Sequence, residues 1–246
     1  MEVRAEKNKR RGRIAGVKSR RGPVAPENSV RIKAFYWLLP RFSAFARRRR
    51  MGGLMRMLEI KPGTRVLDLG GSPSIWENVP VPLDITILNL PGGIPSDALD
   101  SFDAGTSIHT FHFVEGDACN VHQFSDRSFD LAFSNSVIEH VGPQEKQEAF
   151  AREAVRLGKS YWVQTPSAWF PIEAHTGMPF YWFYPEQLRL WLLRRSQKKL
   201  PAWWTEYIAE TRVLSRRRLV ELFPNARVQV EYFFGLPKSY VVCSQQ

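Results

Sequence analysis

The segment VLDLGGSPSIW, residues 66–76, combines residue types that bind a small ligand at the end of a strand. Asp68 supplies a carboxylate, while Gly70 and Gly71 allow a sharp turn and a close approach of a ligand to the backbone. Ser72 suits the N-cap of a following helix. Because the spacing does not complete G-x-G-x-x-G, the turn suits a ligand with an amino group better than a pyrophosphate.

Two further polar positions are spaced as a nucleoside-binding site requires. Asn89 ends the second apolar run 21 residues after Asp68, near the spacing of ribose-binding side chains, and Leu90 follows it. The Asn89 amide can both accept and donate a hydrogen bond. Asp117, in EGDA, could accept from an adenine amino group, with Ala118 beside it. The alternative for Asn89 and Asp117 is ordinary turn chemistry.

A fourth cluster, FDLAFSNSVIEHV, holds a candidate for the chemistry itself. Ser134 and Asn135 end its apolar run. His140 follows shortly, and histidine is the usual proton acceptor near neutral pH. The alternative for His140 is a purely structural role in supporting the loop.

These clusters need elements that bring the ends of strands together. Short apolar runs alternate with helical spacing, which predicts an α/β fold with a mainly parallel sheet covered on both faces. QEKQEAFAREAVRL predicts a helix, Ser215 the N-cap of another, and ARVQVEYFF with SYVVC a final pair of strands. Pro40 and Gly52–Gly53 predict breaks in a helical segment. Ligands of such sheets bind at the carboxyl ends of strands, where every cluster above falls.

The sequence contains four features in a fixed order and spacing: VLDLGG, a polar residue that ends the second strand, GDA and FDLAFSNSVIEHV. This combination resembles the class I S-adenosylmethionine-dependent methyltransferases, of the methyltransferase type 11 kind. The resemblance covers residues 55–165 and extends more loosely to the end of the chain. It implies a Rossmann-like α/β fold of seven strands, mostly parallel with a C-terminal antiparallel hairpin, and helices on both faces. It also implies S-adenosyl-L-methionine as the cofactor.

The resemblance further implies a role for each strand end. The end of the first strand would line the methionine and ribose parts of the cofactor, the second would hold the ribose, the third the adenine, and the fourth another edge. Asn89 departs from the family pattern, which has an acidic residue there. The expected cofactor-binding residues are Asp68, Gly70, Gly71, Ser72, Asn89, Leu90, Asp117, Ala118, Ser134 and Asn135.

An aromatic-rich insertion over residues 166–210 follows the fifth predicted strand. Six of the eight tryptophans lie between Trp162 and Trp204, so this is not an ordinary surface loop. We interpret the insertion as an aromatic wall or lid over an acceptor pocket, and the alternative is a small satellite core. Glu173 and His175 are its acid–base candidates, after His140.

The net charge of +11 is concentrated at the N-terminus. Residues 1–50 carry 16 Lys and Arg against 3 Asp and Glu, whereas the remainder has a net charge of −2. We expect residues 1–27 to be a basic disordered tail, residues 28–60 a helical segment, and residues 61–246 the methyltransferase domain. The tail could be solvated, lie on an anionic membrane, or contact RNA phosphates.

Other features indicate the compartment. Cys119 and Cys243 form no disulfide framework, which favours a reducing compartment. The sequence contains no apolar run long enough to span a membrane and no secretory leader, so we expect a cytoplasmic protein that could be peripheral to a membrane. We expect no metal site, because His109 and His112 have an odd spacing on a predicted strand and would face opposite sides.

Taken together, these observations predict methyl transfer to an oxygen, or a nitrogen, of a small-molecule, glycan or lipid-linked acceptor. An RNA methyltransferase that uses the basic tail is one alternative. Another is a non-catalytic binding or scaffold protein with a methyltransferase fold, which Asn89 and the short helix after VLDLGG would allow. A nicotinamide-dependent dehydrogenase is a third.

Overall fold

The computed structural model of the protein describes residues 30–93, 107–173, 176–196 and 202–245. Its seven-stranded sheet has the order β3-β2-β1-β4-β5-β7-β6. The first five strands are parallel to their neighbours, whereas β7 runs antiparallel to both β5 and β6. This confirms the predicted Rossmann-like sheet with its C-terminal hairpin. The strands are β1 (Arg65–Leu69), β2 (Asp84–Asn89), β3 (Thr110–Glu115), β4 (Phe129–Asn135), β5 (Gly158–Pro166), β6 (Ala226–Phe233) and β7 (Leu236–Ser244).

Apolar clusters and helices cover both faces of the sheet. Val66 of β1 belongs to one cluster and Leu67 to the other, since successive side chains of a strand point to opposite faces. Met51 packs on the first face and Phe150 on the second, and both are fully buried. The helices are α1 (Val30–Met57), α2 (Gln144–Leu157), α3 (Glu186–Ser196), α4 (Ala202–Glu210) and α5 (Arg216–Leu222).

Helix α1 is continuous, so the predicted breaks at Pro40 and Gly52–Gly53 are wrong. At the glycine pair, the reason is packing: Met51 and Leu54 on either side are fully buried. A Cβ on Gly53 would make an ordinary contact of 3.7 Å with the ring of Trp162, so the helix packs on β5 at this point. Tertiary contact therefore outweighs the poor helix propensity of glycine. A single proline removes one hydrogen bond of a helix and need not end it.

The insertion after β5 contains helices α3 and α4. Tyr181, Leu193 and Ile208 are buried there in a separate small cluster. This is the satellite core that the sequence left open as an alternative. Helix α5 begins as predicted, with the side chain of Ser215 accepting a hydrogen bond from the backbone of Arg218. Within the described ranges, no helix combines the length and the hydropathy needed to cross a bilayer.

Candidate active site at the carboxyl ends of the strands

The turn after β1 depends on its two glycines. Gly70 has a φ of +77°, in the left-handed region, and a Cβ there would lie 2.8 Å from the side chain of Val137. A Cβ on Gly71 would lie 1.9 Å from Oδ2 of Asp68. No other residue fits at Gly71 unless the carboxylate moves, so the turn lies directly on Asp68.

Asp68 is fully buried beneath this turn. Its Oδ2 accepts a hydrogen bond of 2.8 Å from Nε1 of Trp76, and its Oδ1 has no partner among the described residues. Burial raises the pKa of Asp68 from 3.8 to about 7, although the bond from Trp76 opposes the rise. The carboxylate therefore anchors the segment after the turn and presents no surface to a ligand in this structure.

Ser72 occupies the predicted N-cap position, but the helix that follows is a 3₁₀ helix, Pro73–Asn78. The Ser72 side chain makes no capping hydrogen bond, and its Oγ lies 3.1 Å from Oγ of Ser74. Pro80 follows the C-cap residue Val79, where its ring would block another turn. Ser72 is exposed and forms part of the rim of the turn.

The end of β2 presents one polar and one apolar group. Nδ2 of Asn89 donates to the carbonyl of Gly71 at 3.0 Å, which ties β2 to the glycine turn. Because that bond uses the amide nitrogen, Oδ1 of Asn89 is the atom left to accept from a ligand. Leu90 is 61% exposed, a high value for a large apolar side chain. These two groups are accessible where Asp68 is not.

Glu115 also lies at this edge and is a residue that the sequence reasoning missed. It pairs with Asn89 in the register of β3 with β2, and its Oε1 accepts a hydrogen bond from the backbone of Gly92 at 3.1 Å. An acid is thus present beside Asn89, on the neighbouring strand. The signal would have been the register, which the sequence does not reveal.

Asp117 and Ala118 follow β3. Oδ1 of Asp117 accepts from the backbone of Cys119 at 2.8 Å, and Oδ2 pairs with Nζ of Lys146 at 2.9 Å. Burial works against ionisation here, but the bonds from Cys119 and Lys146 outweigh it and lower the pKa of Asp117. Ala118 is half-buried against the apolar cluster under α2. Asp117 is therefore ionised and shapes its turn while remaining partly accessible.

The end of β4 is bonded to both β1 and α1. Ser134 is fully buried and donates to the carbonyl of Leu69 at 3.0 Å. Oδ1 of Asn135 accepts a short hydrogen bond from Arg50, a residue that the sequence reasoning included in a basic segment. Ser136 has a φ of +57°, which is uncommon outside glycine and often marks a functional turn.

The ring of His140 is held by hydroxyl groups at both nitrogens. Nε2 lies 2.7 Å from the Tyr207 hydroxyl, and Nδ1 lies 3.1 Å from Oγ1 of Thr211. The Thr211 hydroxyl donates to the Tyr207 carbonyl at 2.8 Å, so it accepts from Nδ1. The network thus places a proton on Nδ1 of His140, and Nε2 faces the Tyr207 hydroxyl.

Carboxylates surround this pair. Glu139 is fully buried, its Oε2 accepts from Thr165 at 2.9 Å, and its Oε1 lies 3.8 Å from Nε2 of His140. Burial raises the pKa of Tyr207, and the charges of Glu139 and Glu173 raise it further. Tyr207 therefore stays protonated at neutral pH and has a proton that it can donate to His140.

Of the two acid–base candidates in the insertion, the structure describes one. Glu173 is buried, and its Oε2 accepts a hydrogen bond from the backbone of Thr176, so it closes its own loop as well as contributing charge near Tyr207. His175 lies outside the described residues. Tyr207 and Thr211 were not among the candidates, although their spacing of four at the end of α4 indicates a shared helical face.

A cavity of about 870 Å³ lies between the insertion and the N-terminal end of α2. Tyr181, Trp182 and Arg189 line it from the insertion. Thr211 also lines it, so the cavity wall includes a residue that bonds to His140. The volume is in the range of sites that hold small molecules.

The two histidines near β3 have separate structural partners. His109 is buried, and its Nε2 lies 3.0 Å from the Trp76 carbonyl. His112 is exposed and pairs with Asp84 at 2.9 Å. In the described part of the chain, no three His, Cys, Asp or Glu side chains gather as metal ligands would.

Comparisons with known proteins agree with this architecture. Residues 96–160 match the model of the family described as a methyltransferase domain. Phosphoethanolamine N-methyltransferase 2 of Haemonchus contortus, solved with S-adenosyl-L-methionine, aligns with a TM-score of 0.52 at 13% identity, over 80% of this chain and 52% of its own. This chain thus spans about half the length of that relative. No curated protein matches the sequence.

A second solved structure is a putative S-adenosyl-L-methionine-dependent methyltransferase from Methanococcus maripaludis. It aligns with a TM-score of 0.50 at 16% identity, over 82% of this chain and 87% of its own. At such identities the likeness shows the shared fold. The strand order, the matched segment and this likeness agree in giving the chain the fold of the class I S-adenosylmethionine-dependent methyltransferases.

Proposed function

We propose that the chain transfers a methyl group from S-adenosyl-L-methionine to an oxygen or a nitrogen of a small-molecule, glycan or lipid-linked acceptor. The observation that carries the proposal is the pair formed by Tyr207 of α4 and His140, which follows β4 three residues after Val137, the neighbour of Gly70 in the glycine turn. An alcohol or an amine that attacks a methyl group must lose a proton, and a positioned histidine accepts one near neutral pH.

The ends of β2 and β3 fit this cofactor. The exposed side chain of Leu90 suits one face of an adenine ring, and Oδ1 of Asn89 suits a ribose hydroxyl. Asp117, ionised and partly accessible, suits the adenine amino group.

When bound, S-adenosyl-L-methionine supplies an electrophilic methyl group, and transfer replaces its C–S bond with a bond to the acceptor and leaves a thioether. The chain's own part is to align the acceptor and take its proton. The acceptor hydroxyl donates to the oxygen of Tyr207 while the Tyr207 proton passes to Nε2 of His140. The bond from Nδ1 to Thr211 fixes the ring, and Glu139 stabilises the imidazolium that forms.

The acceptor side of the site is the cavity of about 870 Å³ beside the insertion. Tyr181 and Trp182 give it an aromatic wall. Thr211 also lines the cavity and bonds to Nδ1 of His140, so the cavity lies one residue away from the candidate proton acceptor. This supports an acceptor with both apolar and polar parts. The insertion thus combines a satellite core with one wall of the acceptor site.

Incubation of the chain with methyl-labelled S-adenosyl-L-methionine and an extract of its source cells tests this proposal. The extract is then separated into nucleic acid, protein, lipid with glycan, and small-molecule fractions. We expect label in the lipid-with-glycan or small-molecule fraction. Nuclease-sensitive label would instead make the chain an RNA methyltransferase, and label in no fraction would contradict methyl transfer.

A His140→Ala variant tests the proton acceptor in the same assay. We expect turnover to fall by about a hundredfold or more, with cofactor affinity almost unchanged, because the ring takes a proton and does not hold the cofactor. His122→Ala, at an exposed histidine, is the matched control and should keep full activity. Near-normal turnover in His140→Ala would reduce His140 to a structural role.

A further inference from the structure

A second cavity, of about 240 Å³, lies between α1 and the β6–β7 hairpin. We call it the α1–β6 cavity. It faces β5, β7 and β6, whereas the residues expected to hold the cofactor lie at β3, β2, β1 and β4. The two sites meet at Arg50, which lines this cavity and donates to Asn135 at the end of β4. The polar residues that line it are Arg49, Arg50, Arg56, Gln229, Glu231 and Lys238.

The carboxylate that lines this cavity, Glu231, is already paired. Nε of Arg50 donates to Glu231 at 3.0 Å, and Nη2 lies 2.6 Å from its Oε2. Ser239 also donates a short hydrogen bond to the same oxygen. Arg50 is buried, so this pair forms a fixed part of the wall. Glu231 therefore has little capacity left to balance further positive charge.

Three cations of the cavity have no ion pair within the described ranges. Arg49 and Arg56 are exposed on α1, and Lys238 lies across from them on β7. Burial lowers the pKa of Lys238, the charges of Arg50 and Arg47 lower it further, and Glu231 only partly opposes them. The cavity thus concentrates positive charge that Glu231, already paired with Arg50, balances only in part.

A buried donor also lines the cavity. Trp162 is 2% exposed, and its Nε1 has no hydrogen-bond partner among the residues that the structure describes. A buried N–H group that lacks an acceptor is unusual in a folded protein, because it has lost its bonds to water without replacement. Because Trp162 lines the α1–β6 cavity, an acceptor bound there lies against the ring that carries this donor.

We propose that the α1–β6 cavity binds a phosphoryl group. A phosphate monoester offers up to two negative charges and three acceptor oxygens, which match the three cations and the indole N–H described above. A volume of about 240 Å³ accommodates a phosphoryl group with a few attached atoms. The group can come from a soluble phosphate ester or from a lipid headgroup, and the chemistry at the site is the same.

Titration of the full chain with glycerol 3-phosphate, followed by calorimetry, is the first test. We expect Lys238→Gln to weaken binding about tenfold or more, because it removes the most buried of the three cations, and Trp162→Phe to weaken it several-fold. Arg217→Gln is the control: Arg217 is an exposed arginine of α5, and the variant should bind as the original does. Thermal unfolding of each variant confirms that it is folded.

Sedimentation with vesicles distinguishes the source of the phosphoryl group. Phosphatidic acid vesicles present a phosphate monoester, and phosphatidylglycerol vesicles present a similar charge without one. A preference for phosphatidic acid that Lys238→Gln removes assigns the group to a lipid, whereas binding of glycerol 3-phosphate without this preference assigns it to a soluble ester. The proposal is overturned if neither probe binds, or if Arg217→Gln weakens binding as much as Lys238→Gln.

Discussion

The ends of β1 and β4 and the ends of β2 and β3 use their polar side chains differently. At β1 and β4, Asp68 and Ser134 are fully buried and bonded to the protein itself. At β2 and β3, Asn89 and Asp117 are partly accessible and Leu90 is exposed. The first region sets the shape of the glycine turn, and the second offers surface to a ligand. A residue within a ligand-binding motif can therefore act through the backbone that it holds.

The change with the largest expected effect on this comparison is Gly71→Ala. The new Cβ would lie 1.9 Å from Oδ2 of Asp68, so the carboxylate must move and lose its bond to Trp76. We expect a loss of about 3 kcal/mol in the free energy of unfolding, together with loss of cofactor binding. Urea unfolding measures the first effect. Gly52→Ala, inside α1, is the control and should be neutral or stabilising, because the new Cβ would make only an ordinary contact of 3.6 Å with the side chain of Arg56.

The Asp68→Asn variant tests the buried region through the pH dependence of the free energy of unfolding. The folded protein holds a proton on Asp68 up to a pKa of about 7, whereas the unfolded chain releases it near 3.8. Between these values the folded state binds more protons, so the stabilising contribution is complete below pH 3.8 and is lost as the pH rises towards 7. Over this pH range the free energy of unfolding falls by roughly 4 kcal/mol at most.

Urea unfolding at pH 4.5 and at pH 7 measures this effect, and we expect the Asp68→Asn variant to lack most of the decline seen in the original. Asp126→Asn, at an exposed carboxylate, should leave the decline intact. Equal declines in the original and in Asp68→Asn would show that Asp68 is ionised in the folded protein, and the two regions would then not differ in charge state.

Leu90→Ser tests the region that offers surface. The side chain is exposed, so the fold should be nearly unaffected, but we expect affinity for S-adenosyl-L-methionine to fall about tenfold as apolar contact with adenine is lost. Phe234→Ser, at the most exposed large apolar side chain described, is the control at the far hairpin. Equal affinity in both variants would place adenine elsewhere.

Ser134→Ala should have the smallest effect. It removes one buried hydrogen bond to the Leu69 carbonyl, which is worth about 1 kcal/mol of stability. Cofactor affinity should change by less than about twofold, because Ser134 presents no surface to a ligand. A large fall in affinity without a fall in stability would show direct contact and erase the difference between the two regions.

Local signals account for what the sequence predicted well. Helix α2 spans Gln144–Leu157, the range that its spacing predicted, and Ser215 caps α5 as its residue type indicated. The seven strands also follow their apolar runs. These features depend on residues close together in the chain, so a single sequence contains the information.

Features that depend on distant contacts were beyond the sequence. The burial of Met51 and Leu54 keeps α1 helical through Gly52–Gly53, and Trp76 turns Asp68 away from a ligand. Tyr207 lies 67 residues from His140 in the chain, and nothing in its own segment pairs the two. A run of charged residues likewise does not reveal which of its members is buried. Arg50 of α1 ends a basic run, yet it is buried beside the end of β4.

Equilibrium dialysis of the chain against labelled S-adenosyl-L-methionine tests the central claim most directly, with Leu90→Ser and Phe234→Ser measured in parallel. We predict one molecule bound per chain, weaker binding in Leu90→Ser and unchanged binding in Phe234→Ser. Absence of binding by the folded original chain would contradict a cofactor site at the ends of β1, β2 and β3 and would leave the fold without methyl-transfer activity.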